Sequence, residues 1–254
     1  MRIVIITQDE PFYLSESIDY LLEIIPRHSS IVGCVVASAS PFGKRETFYQ
    51  KAKKTAEIFG VHFFFRYALR FLWRKITGRG RIRAHLRRHG LNIIELENEI
   101  NHPDSISKIS DCKPDLLISI LGNQIFKRDI IELAPKGCLN LHTALLPKYR
   151  GLMPTFWVLR NNERETGVSV FFVDEGIDSG PIVIQKRISI DGVTQEQLIR
   201  KTKKIGMEAI AEAVDLIATD KIELIHNDPS LMTYFSFPTK KDVEEFKSAG
   251  KKFF

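Results

Sequence analysis

An amide and an imidazole stand two residues apart at the end of a short apolar run, CLNLH, over residues 138 to 142. In a β-strand alternate side chains point to the same face, so this spacing aims Asn140 and His142 at one point. Both carry N–H groups that can donate to an oxygen on which negative charge develops, and one well-placed donor typically raises a rate by on the order of 10² to 10³. The pair therefore suits a reaction that passes through a tetrahedral intermediate with a developing oxyanion.

A second polar element, VDEGIDSGPI at residues 173 to 182, offers a carboxylate partner. A purely structural interpretation of this loop is a hairpin connection rich in turn-forming residues. The alternative places Asp178 beside His142, where a carboxylate would favour the protonated imidazole and fix its orientation. A single histidine at a strand end is more often a core residue whose hydrogen bonds are satisfied. The amide at position 140 and the acidic loop together favour the chemical interpretation.

Strands and helices alternate along the first two-thirds of the chain. This order, without hairpin turns, predicts an α/β fold with a Rossmann-like, mostly parallel twisted sheet and helices on both faces. Ser15 is the expected N-cap of the first helix. Ligands bind beyond the carboxyl ends of strands in such sheets, which places Asn140, His142 and the loop after Leu121 at the active edge. The predicted strands are residues 2–7, 30–38, 92–97, 115–121 and 138–142, and the predicted helices are residues 15–25, 44–60 and 129–135.

The last third of the chain no longer follows the alternation of strands and helices. Residues 167–190 hold two β-rich runs joined by the acidic loop, which predicts an antiparallel addition to the sheet. Residues 191–220 predict a long amphipathic helix that begins at Thr194, since Gln197 three residues later completes a capping box. A further short helix is expected to begin at Thr239, after a proline.

The amino-acid composition limits the classes of protein to which the chain can belong. The chain has 254 residues, 44% of them hydrophobic and 27% charged, with a net charge of +6, which indicates a globular protein with a core and an anionic partner. No apolar run approaches the roughly 20 residues of a membrane span, and no signal-peptide region opens the sequence. Cys34, Cys112 and Cys138 have the spacing of neither a metal site nor a disulfide framework, so a cytoplasmic location is expected. We predict a catalytic domain over residues 1–220 and a short C-terminal appendage over residues 221–254.

Two long segments carry a family resemblance. LNLHTALLPKYRGLMPTFWVL and ETGVSVFFVDEGIDSGPIVIQKRI together resemble the folate-dependent formyltransferase family, over about residues 114 to 190. The signature of that family is an N-x-H strand end, an LLPxYRG loop and a D-E-G-x-D-x-G loop. The resemblance implies a catalytic triad of Asn140, His142 and Asp178, with 10-formyltetrahydrofolate as formyl donor and co-substrate and no metal.

The resemblance also implies roles around the triad. Asp178 would hold His142 in its productive tautomer and, through a water, move a proton from the attacking amine toward the leaving nitrogen of the folate. The folate pocket would be formed by the loop after the strand at 115–121 and by the backbone of the acidic loop, although the first of these loops also suits a simple strand-to-helix connection. The expected folate-binding residues are Leu121, Gly122, Gln124, Ile125, Phe126, Val173, Asp174, Glu175 and Gly176.

The sequence departs from the family pattern in two places. Thr143 and Ala144 follow the histidine where the family usually has Pro-Ser, which puts the side-chain hydrogen bonding of that loop in doubt. The first strand leads into TQDEPFY, which lacks the Gly-rich phosphate cradle expected of glycinamide ribonucleotide enzymes. Asp9 and Glu10 would repel a phosphate at this position.

The acceptor is inferred from what surrounds these motifs. Methionyl-tRNA enzymes of the family carry a β-barrel domain after the catalytic one, and the roughly 35 residues after the long helix are too few for such a barrel. The resemblance to the sugar branch implies a nucleotide-linked amino sugar, as in lipopolysaccharide biosynthesis, with no nucleic-acid partner expected; a homodimer is compatible with this. Alternatives that remain open are a 10-formyltetrahydrofolate hydrolase and a formyltransferase acting on methionyl-tRNA or glycinamide ribonucleotide. The expected substrate-binding residues are Gln8, Arg79, Arg81, Tyr149 and Arg150.

A basic segment at residues 66–90 holds nine arginine and lysine residues and no acid. Arg66, Arg70 and Arg74 recur at helical spacing, which predicts two short basic helices around the Gly-Arg-Gly at 78–80. Four interpretations remain open: a lid for a diphosphate or polyglutamate tail, a nucleic-acid contact, a membrane-surface contact, or a solvated face. We treat the segment as an insertion into the catalytic domain.

Overall fold

The fold is taken from a computed structural model that describes residues 1–37, 47–78, 82–122 and 124–254. The strands are β1 (Arg2–Gln8), β2 (Ser30–Ala37), β3 (Ile93–Ile94), β4 (Leu116–Ser119), β5 (Cys138–His142), β6 (Arg150–Gly151), β7 (Glu165–Phe172), β8 (Ile182–Ser189) and β9 (Tyr234–Phe235). The helices are α1 (Leu14–Ile24), α2 (Phe48–Phe59), α3 (Val61–Thr77), α4 (Ile82–Arg88), α5 (Pro103–Ser110), α6 (Arg128–Ile131), α7 (Pro154–Arg160), α8 (Gln195–Ala218) and α9 (Lys240–Ser248).

Seven strands form one sheet in the order β3-β2-β1-β4-β5-β7-β8. The first five of these pair in parallel, while β7 runs antiparallel to both β5 and β8. The predicted Rossmann-like, mostly parallel sheet and its antiparallel addition are confirmed. The two remaining strands, β6 and β9, form a small parallel pair outside this sheet.

Each face of the sheet buries its own apolar cluster. Ile3 and Ile5 of β1 pack with Leu139 and with residues of α1 and α8, whereas Val4 and Ile6 pack with Cys138 and with residues of α5 and α6. This alternation is the two-residue period of an extended strand. Helices therefore cover both faces, as predicted. Side chains at even positions of β5 lie on the α5–α6 side, and this is the face that Asn140 and His142 share with Cys138.

Several predicted boundaries shift. The first helix begins at Leu14, so Ser15 is inside it and the predicted N-cap at Ser15 is wrong. The Glu10 carboxylate takes the capping role, accepting the backbone N–H groups of Phe12, Tyr13 and Leu14 at 2.8–3.0 Å. A carboxylate is favourable at this end of a helix because it balances the helix dipole and satisfies free N–H groups.

Other boundaries follow from sheet position and local sequence. The predicted strand at 92–97 pairs only over Ile93–Ile94, with Cys34 and Val35 of β2 at one edge of the sheet. The helix predicted at 44–60 begins at Phe48 with Thr47 as N-cap, and residues 44–46 lie outside the described ranges. The predicted starts at Thr194 and Thr239 are confirmed, each with a capping box.

The C-terminal segment, residues 221–254, packs directly against the rest of the protein. Phe246 and Phe253 are buried with Phe59 and Phe156 in a third apolar cluster that joins α2, α7 and α9. The β9 strand of this segment pairs with β6, which follows the loop after β5. Within the described ranges, we find no helix with the length and apolarity that crossing a membrane requires.

Candidate active site

The predicted catalytic strand, β5, ends beside β4 at the carboxyl-terminal end of the parallel strands. Asn140 pairs in register with Ser119 of β4 and with Phe171 of β7, and His142 pairs with Ser169 of β7. His142 is buried and Asn140 is half-buried. The two side chains thus lie on one face at the edge where parallel α/β sheets bind ligands.

The loop after β7 holds Asp178 in a fixed backbone conformation. Asp178 has a φ of +49°, in the left-handed region that aspartate tolerates better than most residues. The Asp174 carboxylate accepts the N–H of Gly176 at 3.1 Å and the hydroxyl of Ser179 at 2.6 Å, which closes the loop on itself. A Cβ at Gly180 would lie 1.8 Å from the Phe172 carbonyl oxygen, so this position requires glycine.

His142 and Asp178 meet, as the sequence predicts. The His142 Nδ1 lies 3.5 Å from Asp178 Oδ2, and that same oxygen accepts the N–H of Gly151 at 2.8 Å. The His142 Nε2 lies 2.7 Å from the carbonyl oxygen of Tyr149. A carbonyl oxygen can only accept, so Nε2 carries the proton of the neutral ring and Nδ1 presents its lone pair. The ring can therefore accept a proton at Nδ1 beside a carboxylate that stabilises the resulting charge.

This geometry differs from the sequence prediction, in which His142 and Asn140 both donate to the oxyanion and Asp178 moves the proton through a water. The Nε2–H is engaged with the Tyr149 carbonyl, so donation to an oxyanion would require the ring to leave that partner. The Asn140 side chain takes part in none of the hydrogen bonds found among the described residues, so its amide N–H groups are available to an oxyanion. In this arrangement Asn140 is the better-placed donor, and His142 with Asp178 is the better-placed proton acceptor.

A buried polar chain behind Asp178 was missed by the sequence. Asn227, 5% exposed, donates both protons of its amide, to the carbonyl oxygens of Asp178 and Gly180, each at 2.9 Å. Its own amide oxygen accepts from Arg150 Nη2 at 2.8 Å. Asn227 lies 49 residues beyond Asp178, and its surrounding HNDPS reads as an ordinary turn. No local pattern identifies such a partner.

The loop after His142 is fixed by Ser169. The Ser169 hydroxyl donates to the carbonyl oxygen of Ala144 at 2.8 Å and accepts the N–H of Leu146 at 3.1 Å. Gln185 of β8 donates to the same hydroxyl at 3.0 Å and to the Leu146 carbonyl at 2.9 Å. The loop is thus held by β7 and β8 although Thr143 and Ala144 replace the usual Pro-Ser.

The loop after β4, expected to bind folate, is constrained at three points. Leu121 has a φ of +60°, and a Cβ at Gly122 would lie 2.4 Å from the Ser119 hydroxyl, so the chain turns tightly here. Gln124 is engaged elsewhere, since its side-chain oxygen accepts the Ile100 N–H at 2.7 Å. Ile125 is 58% exposed and offers an open apolar surface.

The second expected folate segment borders the same cluster as the first. Phe126 is buried in the cluster on the α5–α6 side, and Val173 packs against that cluster. The N–H of Val173 donates to the Cys138 carbonyl at 2.7 Å, which fixes the start of the acidic loop beside β5. Glu175 is exposed. Both segments therefore lie on the face of the sheet that carries Asn140.

The residues expected to bind the acceptor differ in what the structure places around them. Gln8 ends β1 at the same sheet edge and is half-buried. The Tyr149 hydroxyl donates to Glu163 at 2.6 Å, and burial together with this hydrogen bond raises the pKa of Tyr149 to about 12. The Arg150 side chain is buried against Asn227. The other two expected residues, Arg79 and Arg81, lie outside the described residues.

The basic segment lies in two helices, α3 and α4, as predicted. Several of its arginines form ion pairs with acidic side chains elsewhere in the chain. Arg70 lies 2.8 Å from Glu196, and Arg74, which is buried, lies 2.8 Å from Glu16. These two arginines are therefore paired with acids and do not form a solvated basic face. Arg83 of α4 is likewise paired, with Glu95.

One group of metal-capable side chains lies close together in the described part of the chain. His85 of α4 and His89, which directly follows this helix, both contact Asp19 of α1, His89 at 2.8 Å. These contacts tie α4 to α1. The sequence expectation of no metal stays a prediction.

Comparisons with known proteins extend these observations. Residues 74–214, more than half of the chain, match the formyl transferase family, and the match begins inside the basic segment. Over 176 residues the chain is 34% identical to the methionyl-tRNA formyltransferase of Kosmotoga olearia, which covers 66% of this chain and 56% of that protein. The chain spans about half the length of the curated relatives it matches.

Solved structures share the fold. A phosphoribosylglycinamide formyltransferase from Anaplasma phagocytophilum superposes with a TM-score of 0.64 at 14% identity, covering 94% of this chain and 99% of that one. An N-formyltransferase from Helicobacter canadensis, in complex with folinic acid and dTDP-3-aminofucose, gives a TM-score of 0.59 at 18% identity over 98% of this chain and 80% of that one. With the matched residues and the Rossmann-like sheet, these findings show that the chain belongs to the folate-dependent formyltransferase family.

Proposed function

We propose that this protein transfers a formyl group from 10-formyltetrahydrofolate to a primary amine. The observation that carries the proposal is the meeting of Asn140, His142 and Asp178 at one sheet edge, with Nδ1 of the histidine 3.5 Å from the carboxylate. This is a proton acceptor beside a free amide donor, the pair of groups that amine addition to a formyl carbon requires. Bound 10-formyltetrahydrofolate would supply the electrophilic carbon and a nitrogen leaving group.

The chain's own groups divide the work of the transfer. Asn140 donates to the formyl oxygen as negative charge develops there while the amine nitrogen bonds to the carbon. His142 accepts the proton that the amine loses, at Nδ1, and Asp178 stabilises the imidazolium that results. The same proton is then delivered to the leaving nitrogen as its bond to the formyl carbon breaks, so that a formamide and tetrahydrofolate are released.

The expected folate residues fit a flat, partly apolar ligand. Ile125 exposes apolar surface, and the tight turn at Gly122 keeps the backbone of the loop close to that surface. The acidic loop offers backbone groups along Val173 to Gly176 beside Phe126. We therefore place the donor between the loop after β4 and the loop after β7.

We propose a nucleotide-linked amino sugar as the acceptor. The support is the structural neighbour whose complex holds dTDP-3-aminofucose, together with a C-terminal segment that packs into the catalytic unit. A second candidate is methionyl-tRNA, because the curated relatives matched at 34% identity are methionyl-tRNA formyltransferases.

The experiment is a comparison of acceptors followed by two variants. Tetrahydrofolate release from 10-formyltetrahydrofolate is measured with thymidine-, uridine- and guanosine-diphosphate amino sugars, with methionyl-tRNA, with glycinamide ribonucleotide and without any amine. We expect release to require an amino sugar; release without an amine would favour a hydrolase. His142→Ala and Asp178→Asn are each expected to lower turnover by at least about 10²-fold while folate binding is kept. Asp191→Asn, which changes an exposed aspartate after β8, serves as the control, and near wild-type turnover in either site variant would contradict the mechanism.

A further inference from the structure

Helix α3 has two apolar faces, and one of them is covered. Phe63 stacks on Phe59 with ring centres 4.7 Å apart and meets Phe253 at 4.9 Å. Tyr67 stacks on Phe63 and lies 4.7 Å from Phe12. These contacts fix the orientation of the helix against the protein, so the residues opposite them must face outward.

The opposite side of α3 carries five large apolar side chains. They are between 52% and 84% exposed, and Ile76 is the most exposed of them. At the angle of an α-helix they fall within an arc of about 80°, over an axial length of roughly 22 Å. We call this surface the outer face of α3: Val61, Phe65, Leu69, Leu72 and Ile76. Contiguous exposed apolar surface of this kind marks an interaction site rather than an ordinary solvated helix.

Positive charge borders the outer face on both sides. By the same helical geometry Lys75 lies on one flank and Arg66 on the other. Both are exposed, and neither takes part in an ion pair found within the described ranges. The Arg66 guanidinium packs over the Phe254 ring, 4.5 Å from its centre. No acidic residue occurs between Glu57 and Glu95 in the sequence, so the helix carries nothing to repel an anion.

We propose that the outer face of α3 binds the surface of an anionic lipid bilayer. An apolar helix face with basic flanks lies at the boundary of headgroups and acyl chains, where apolar burial and attraction to anionic headgroups act together. A second copy of this chain would bring the basic flanks of two helices together, which is unfavourable. Nucleic acid would satisfy the charges but offers no apolar surface for Leu69 or Ile76. Of these three occupants, the membrane surface matches both the apolar face and its basic flanks.

The test measures binding of the full chain to vesicles. Vesicles of phosphatidylcholine alone are compared with vesicles in which phosphatidylglycerol replaces part of it, by co-sedimentation. We expect binding to the anionic vesicles, with added salt weakening it. The double variant Leu69→Gln/Ile76→Gln is expected to lower the partition by about tenfold or more, because it removes apolar surface from the interface. Arg66→Gln/Lys75→Gln is expected to lower binding to the anionic vesicles only.

Matched variants elsewhere control for general effects. Leu224→Gln/Leu231→Gln changes two exposed leucines outside α3, and Lys240→Gln/Lys241→Gln removes the same charge from α9. Both are expected to bind vesicles like the wild type. Equal binding of neutral and anionic vesicles, or a Leu69→Gln/Ile76→Gln variant that matches its control, would overturn the proposal. A wild-type dimer that this variant dissociates in sedimentation equilibrium would assign the face to a second copy, and tRNA binding that needs Leu69 and Ile76 without vesicle binding would assign it to nucleic acid.

Discussion

The side-chain amide of Asn227 donates to the backbone carbonyl oxygen of Asp178 at 2.9 Å. This contact links the C-terminal segment to the carboxylate that faces His142, and a second donation from Asn227, to Gly180, holds the other side of the same turn. The backbone of Asp178 is in a left-handed conformation that needs such support. We therefore infer that Asn227 positions Asp178 in the proposed mechanism.

Two Asn227 variants separate the effect of this residue on turnover from its effect on stability. Asn227→Asp keeps the size of the side chain and an acceptor for Arg150, but it cannot donate to the two carbonyl oxygens. We expect kcat to fall by about tenfold or more with little change in the acceptor KM, since a displaced catalytic group weakens the chemical step. Asn227→Ala should in addition lower the free energy of unfolding by about 1–3 kcal/mol, because it leaves buried groups without partners. The exposed Asn92→Ala is the control, and an Asn227→Asp enzyme with wild-type kcat would contradict this role.

The parts of this site that the sequence predicted are local. Asn140 and His142 share a face because their spacing fits a strand, and Thr194 caps α8 because its partner is three residues away. The Ser15 prediction failed because α1 begins earlier: the N–H of Ser17 already donates to the Tyr13 carbonyl at 3.1 Å, and the Glu10 carboxylate holds the N–H groups of Tyr13 and Leu14. Local pattern cannot rank a near cap against a better one further upstream.

The parts that the sequence did not predict depend on distant partners. Asn227 meets Asp178 only because the C-terminal segment returns beside the acidic loop. Arg74 looked like part of a solvated basic run, but its acid, Glu16, lies 58 residues earlier and comes close through the packing of α3 on α1. Sequence shows the charge of such residues and not the element that neutralises it.

A Tyr149 variant tests whether this side chain contacts the substrate or stabilises the fold. Tyr149→Phe removes the hydroxyl that donates to Glu163 but leaves the backbone carbonyl that holds His142. The same hydroxyl accepts from Asn161 at 3.3 Å, so two hydrogen bonds are lost. We expect the free energy of unfolding to fall by about 1–2 kcal/mol, with the acceptor KM unchanged. Urea unfolding and steady-state kinetics measure the two effects. A several-fold rise in the acceptor KM would instead support the substrate contact predicted from the sequence.

Glu10 should stabilise the fold through the N-terminus of α1. Glu10→Ala removes an acceptor shared by three backbone N–H groups, so we expect the free energy of unfolding to fall by about 1–2 kcal/mol. Glu23→Ala, at an exposed position in the same helix, is the matched control. The midpoint of urea unfolding measures both, and equal midpoints would show that water replaces the carboxylate without loss.

Lys203 should make stability depend on pH. It is buried in α8, and burial lowers its pKa from the usual 10.5, while the charge of Glu10 acts in the opposite direction. Between the lowered pKa of the folded state and 10.5, the unfolded chain binds more protons than the folded one, so stability rises with pH across that window. Below the window the folded state bears the cost of a buried ammonium group.

Lys203→Met removes that cost and keeps the length of the side chain. We expect a higher Tm at neutral pH and loss of the rise in stability as pH approaches 10.5. Lys204→Met, which changes the adjacent exposed lysine, should leave both properties at their wild-type values. A lower Tm for Lys203→Met at neutral pH would mean that the attraction between this lysine and Glu10 exceeds the cost of burying the charge.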